Sequence, residues 1–202
     1  MKQIIYIGGW ACFRSEDAFT EALKSWHYEP FKETKKWKYR LKEILKEEYD
    51  MEIPNMPNTY NARYSNRKIW FEKIFPCLND EKIVLIGHSQ WSIFLTKYLS
   101  ENIFPKNIAQ LHLVGTVFDE QGLAEWDDYL ADFVFDPTKL KNLEQQVDTI
   151  FLYHSKDDSI VPFSHAEKYK AYLPNAIFNI FDDRQHFWWS EFPELLENIK
   201  KN

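Results

Sequence analysis

Residues 83–100 read IVLIGHSQWSIFLTKYLS, and this stretch decides the fold. Ile83 to Ile86 is a short apolar run of the kind that fills a buried parallel strand, and Trp91, Phe94, Leu95 and Tyr98 then recur at helical spacing. Gly87-His88-Ser89 stands between the two and predicts a sharp strand-to-helix turn with Ser89 at the helix N-terminus. A turn that tight strains the backbone of its serine and exposes the hydroxyl. It also aims the first free N–H groups of the helix at any negative charge forming beside it. Ser89 is therefore the candidate nucleophile. The usual elbow pattern is G-x-S-x-G, and here Trp91 occupies the last position, the largest side chain where the smallest is expected. Taken alone, Gly-His-Ser after a strand is also the sequence of an ordinary turn.

Outward from this stretch, short apolar runs followed by turns predict strands at 3–7, 50–53, 83–87, 110–115, 149–154 and 176–181. Helical patterns fall between them at 15–26, 35–49, 65–75, 91–100, 164–173 and 190–201, with Ser15, Ser65, Ser164 and Ser190 as candidate N-caps. Such alternation predicts a three-layer α/β/α architecture, a parallel sheet of about six strands covered by helices on both faces. Residues 116–148 break the rhythm. Asp119, Glu120, Glu125, Asp127 and Asp128 make them acidic, while Trp126, Tyr129, Phe133 and Phe135 supply apolar anchors. The segment follows a strand's C-terminal end and is expected either as a cap over the edge where open α/β sheets bind ligands or as a packed surface helix pair.

The 202 residues are 45% hydrophobic and 17% aromatic, enough for one substantial core, and a single domain over 1–202 is expected. No run of about eighteen apolar residues is present, so neither a membrane span nor a membrane partner is expected. MKQIIYIGGW enters an apolar strand at once, without the features of a signal peptide, which predicts a soluble, cytoplasmic chain. Cys12 and Cys77 lack metal-ligand spacing and read as free thiols. A net charge of -6 argues against nucleic acid as a partner, and the lysine-rich stretch from 32 to 46 is interleaved with glutamates as on a solvated helix face.

A serine hydroxyl needs a base to take its proton, and the base needs a carboxylate to fix its tautomer. In the chain order Ser, Asp, His expected for this topology, the acid falls in Asp157-Asp158-Ser159-Ile160-Val161-Pro162, where Asp158 is the choice and Asp157 the alternative. The base candidate is His186, after the last strand and before the C-terminal helix. His112 inside a strand, His27 at a helix end and His88 beside the serine read as structural. His154 and His165 flank the acid turn, but no paired spacing supports a metal there. Gly8-Gly9 after the first strand lets the backbone approach closely, so the N–H groups of Trp10 and Gln90 are the expected oxyanion hole.

With these residues in hand, the chain resembles the α/β-hydrolases over nearly its whole length. Within them it is similar to the small single-domain serine hydrolases of the retinoblastoma-binding-protein-nine type and their bacterial relatives. The resemblance rests on the short first strand, Pro54-Asn55-Met56-Pro57-Asn58, the Gly87-His88-Ser89 elbow, Asp157-Asp158-Ser159-Ile160-Val161-Pro162, and His186-Phe187 ahead of the last helix. It implies an α/β-hydrolase fold and a Ser89, Asp158, His186 triad. It further implies hydrolysis of small carboxylic esters or related acyl compounds without a cofactor or metal, by a monomer or weak dimer whose partner is the small acyl substrate. The departures cluster at the site. The family carries His-Gly where this chain has Gly8-Gly9, and glycine at the positions of Trp91 and Gln185. Gly9, Trp91, Gln185 and Trp188 are accordingly the expected pocket residues, with Trp10 and Trp189 adding to an aromatic lining. Loss of glycines around one site reads as a retuned pocket, natural or redesigned. Two rivals stand beside the esterase reading: a catalytically weak scaffold whose aromatic pocket holds a flat apolar ligand, and an enzyme in which Gln90, Gln185, Cys12 or His186 acts on a non-ester substrate.

Overall fold

Strand and helix alternate along the chain as the hydrophobic pattern predicts. The computed structural model describes residues 1–8, 12–27, 31, 36–57, 63–124 and 129–201. Gly9, Trp10, Lys32, Lys35, Asn58, Glu125, Trp126, Asp127 and Asp128 lie outside them. The strands are β1 (Lys2–Gly8), β2 (Tyr49–Glu52), β3 (Ile83–His88), β4 (Ile108–Val114), β5 (Val147–Ser155) and β6 (Ile177–Phe181). All neighbours pair in parallel, in the order β2-β1-β3-β4-β5-β6. From β1 the chain steps to β2 on one side and then returns to β3 on the other, so the order reverses between β1 and β3. Open α/β sheets bind ligands outside the strand ends at such a switch point. Register brings Gly8, His88, Val114, Tyr153 and Asn179 into one row, and Ser89 and Gly115 are the next residues beyond it.

The sheet is covered on both faces, and strand alternation decides which side chain goes where. Ile4, Tyr6, Val84, Ile86, Phe151 and Tyr153 point to one face, against α2 (Trp37–Leu45) and α7 (Pro193–Lys200). Ile5, Ile7, Leu85, Ile150 and Leu152 point to the other, against α3 (Tyr64–Glu72), α4 (Gln90–Glu101), α5 (Leu140–Glu144) and α6 (Ser164–Tyr172). The remaining helix, α1 (Glu16–Ser25), buries none of its residues.

Some local expectations need correction. Ser15 caps α1 by accepting the Ala18 N–H, but Ser65 and Ser164 lie inside their helices. Ser190 precedes the true start of α7, which opens on Pro193, a residue whose preset φ and missing N–H suit a first helical turn. The described part of 116–148 is not a helix pair. It holds two short 3-10 turns, Ala131–Phe133 and Pro137–Lys139, and the five-residue α5. Bonds from Lys97 Nζ to the Val134 carbonyl and from Asn142 Nδ2 to the Ser100 carbonyl tie it to α4. Among the described residues, no helix is long and apolar enough to cross a membrane.

Candidate active site

Ser89 joins β3 to α4 with φ 61° and ψ -133°, a backbone region that costs a non-glycine residue about 1–3 kcal/mol. Neighbours hold it there. Its N–H donates to the Val114 carbonyl (2.8 Å), and its carbonyl accepts from the Ser92 N–H (2.8 Å) and the Ser92 hydroxyl (2.6 Å). The Ser92 oxygen accepts in turn from the Val117 N–H (3.0 Å), fastening the elbow to the segment after β4. The close approach of α4 to β3 depends on Gly87, where a Cβ would meet the Trp91 carbonyl oxygen at 2.7 Å. With Gly87 providing that contact, a large residue at 91 need not push the helix outward. Its indole enters the core instead, fully buried against Phe94 (5.5 Å) and the Arg67 guanidinium (4.2 Å). The Trp91 side chain, an expected pocket residue, has no accessible surface.

Asp158 lies just past β5. Its Oδ1 accepts the N–H groups of Ile160 and Val161, both at 2.9 Å, and its Oδ2 meets His186 Nδ1 at 2.8 Å. Burial works to raise the Asp158 carboxyl, but the His186 hydrogen bond and charge and the two N–H groups outweigh it and hold the group below its ordinary value. A carboxylate only accepts, so Nδ1 carries the histidine hydrogen, leaving Nε2 to accept from Ser89 Oγ at 2.8 Å. Asp157 is occupied otherwise, accepting from the Ser155 hydroxyl and the Gln185 N–H. The structure thus brings Ser89, His186 and Asp158 into one chain of hydrogen bonds at the carboxyl edge of the sheet. In that arrangement a proton can leave the serine as an imidazolium forms beside a buried negative charge.

Other predicted residues fall around this chain. Gln90 opens α4, so its N–H belongs to the positive end of the helix. Gln185 is exposed, next to His186, in the left-handed region at φ 48°. Trp188 is 59% exposed and stands edge-on to the His186 ring at 5.8 Å, while Trp189 lies 5.7 Å from the Arg184 guanidinium. Gly9 and Trp10 lie outside the described residues. His112, bonded to Tyr153 and Gln110 inside β4, is pushed down to about 3 by burial. His154 and His165, also lowered by burial, donate from Nε2 to the Val161 and Gln121 carbonyls. Among the described residues, no group of three or more His, Cys, Asp or Glu is placed to hold a metal ion.

Sequence reasoning missed Gly115. It sits at φ 54° just past β4, where a Cβ would come within 3.0 Å of His186 Cε1 and 3.2 Å of Nδ1. Only glycine leaves the imidazole room there. Its sole trace in the sequence is a glycine at the end of a predicted strand.

No family model matches the chain. Its sequence is 26% identical over 146 residues to the serine hydrolase RBBP9 of Rattus norvegicus, covering 72% of this chain and 74% of that protein. Among solved structures, the ydeN gene product of B. subtilis superposes with a TM-score of 0.74 at 20% identity, over 100% of this chain and 98% of that one. An esterase from Exiguobacterium antarcticum superposes with a TM-score of 0.60 at 14% identity, over 100% and 91%. Together with the sheet order, these likenesses give the chain an α/β-hydrolase fold and a likeness in sequence to serine hydrolases. In sequence it is similar to the small serine hydrolase RBBP9.

Proposed function

We propose that Ser89, His186 and Asp158 form a catalytic triad that hydrolyses small carboxylic esters or related acyl compounds. The reading is carried by the two 2.8 Å hydrogen bonds that join these three side chains, each from a different strand end. Ser89 Oγ attacks the acyl carbonyl carbon as its proton passes to His186 Nε2, and the carbonyl electrons move onto oxygen. The oxyanion is met by the Gln90 N–H and, on the sequence reading, by that of Trp10. Collapse breaks the bond to the leaving alcohol, which takes the proton back from His186 and leaves an acyl group on Ser89. Water, activated by the same histidine, then releases the acid and restores the serine. Asp158 stays ionised throughout and stabilises the imidazolium. The esterase and thioesterase names of two structural neighbours agree with acyl hydrolysis by such a site. The rival in which an aromatic pocket merely holds a flat ligand loses one wall, since the Trp91 indole lies in the core.

A fluorophosphonate probe tests the proposal, because it reports an activated serine without reference to the natural substrate. Mass spectrometry should find one adduct, on the peptide carrying Ser89, and none in Ser89→Ala. Folded protein that acquires no adduct at probe excess would overturn the triad.

A further inference from the structure

The loop bearing His186 is held at four consecutive residues. The Arg184 N–H donates to Ser155 Oγ (3.0 Å) and the Gln185 N–H to Asp157 Oδ1 (2.8 Å). The His186 carbonyl meets His88 Nε2 (3.0 Å), and the Phe187 carbonyl accepts from Trp37 Nε1 (2.9 Å). Such restraint has a local cause. Gln185 and Phe187 flank the histidine in the left-handed region, at φ 48° and 56°, without being glycine. Left to itself, that backbone would relax and carry the imidazole with it.

His88 is the informative member of the four. A carbonyl oxygen only accepts, so His88 must present Nε2 as N–H, which fixes its tautomer. It closes β3 directly before Ser89, in register between Gly8 and Val114, with its ring 6.0 Å from Trp37 and 5.1 Å from His186. One dipeptide therefore grips the histidine at both ends: His88 takes its backbone carbonyl and Ser89 meets its Nε2. The span from the serine oxygen to the imidazole follows from the covalent geometry of residues 88 and 89 and one hydrogen bond.

We propose that His88 is a positioning residue for His186, acting with Trp37 as a clamp on two successive carbonyls that sets the imidazole at bonding distance from Ser89. The proposal rests on the reading of His186 as the base. Its second requirement is that His88 add no positive charge beside the imidazolium that forms during reaction. Burial, followed by the neighbouring charge of His186, meets it by pushing His88 down to about 3, so the ring stays neutral.

The test compares His88→Met, His88→Gln and His186→Ala on a short-chain ester, with folding confirmed by near-ultraviolet circular dichroism. Gln reaches its Nε2 donor through the same number of bonds as histidine, whereas Met has a similar length and no donor. His88→Met should lower kcat by about tenfold to a hundredfold, the scale of a misplaced catalytic group, while KM stays within about twofold. His88→Gln should recover most of that loss, and fluorophosphonate labelling of Ser89 should slow in parallel. Should His88→Met fail to fold, Trp37→Phe removes the second donor while keeping a ring in place, and it should lower kcat at unchanged KM. Full kcat in His88→Met (or in Trp37→Phe, if that variant is needed) with loss in His186→Ala overturns the clamp and leaves the base standing. Equal losses in the Met and Gln variants reduce His88 to packing and overturn it too. No loss in His186→Ala overturns the underlying reading of the base.

Discussion

Asp157 and Asp158 are chemically alike and adjacent, yet their contacts assign them different work. Asp158 meets the ring nitrogen of His186, while Asp157 holds the backbone of Gln185 and the hydroxyl of Ser155. Asp158→Asn would place an amide against His186 Nδ1 and favour the wrong tautomer, so kcat should fall on the order of a thousandfold or more. Asp157→Asn keeps an acceptor for both partners and should cost less than about tenfold. Steady-state ester kinetics on the two variants check this, and the opposite ranking would move the acid to Asp157.

At the scale of elements, Trp91 matters as a joint. Arg67 of α3 lies buried between the rings of Trp91 on α4 (4.2 Å) and Phe133 in the 131–133 turn (4.7 Å), with one nitrogen on Cys12 Sγ (3.3 Å). Aromatic faces suit a guanidinium better than bare apolar surface does, and here they join three elements around it. Trp91→Gly restores the residue the elbow pattern expects. It should nonetheless lose roughly 1 kcal/mol of helix propensity and about 3–5 kcal/mol of packing. The melting temperature should drop by about 10–20 °C. Ester turnover per folded molecule should not rise, because the indole is fully buried against Phe94 and Arg67. Faster turnover at an unchanged melting temperature would return the indole to the pocket.

For the molecule as a whole, buried and half-buried histidines dominate the response to acid. His88 and His112 are each held at about 3, chiefly by burial, and His154 and His165 are displaced in the same direction. In the unfolded chain these groups protonate near about 6.5. For His88 and His112 the unfolded state binds more protons between those values, so their contribution to stability is complete above about pH 6.5 and is lost as the pH falls toward 3, and His154 and His165 act in the same sense. The slope is up to about 1.4 kcal/mol per pH unit for each group. Asp158, held below its ordinary value, adds to the loss only below about pH 4. Against a total stability of about 5–15 kcal/mol, this loss is a large share, and the protein should be markedly less stable at pH 4 than at pH 7. Urea midpoints measured from pH 7.5 to 4 should fall steadily below 6.5, and a flat profile would contradict the burial of these rings.

Much of this was legible in the chain. The six strands and most helices follow from periods of 2 and 3.6, which are local properties, and Ser89, Asp158 and His186 stand where turn signals meet strand ends. Ser190 does not cap α7, because Pro193 opens the helix by a different local device. What only the tertiary structure decided involves residues far apart in sequence. The choice of Asp158 depends on His186, 28 residues on, and the clamp joins His88 to a carbonyl 98 residues away. The fit of Gly115 beneath the imidazole and the descent of the Trp91 indole onto Arg67 belong with them. Sequence pattern tells which face of an element is apolar and where the chain turns. It does not tell which side chain of another element fills the space opposite, because that depends on shapes and hydrogen-bond partners that meet only once the sheet is assembled.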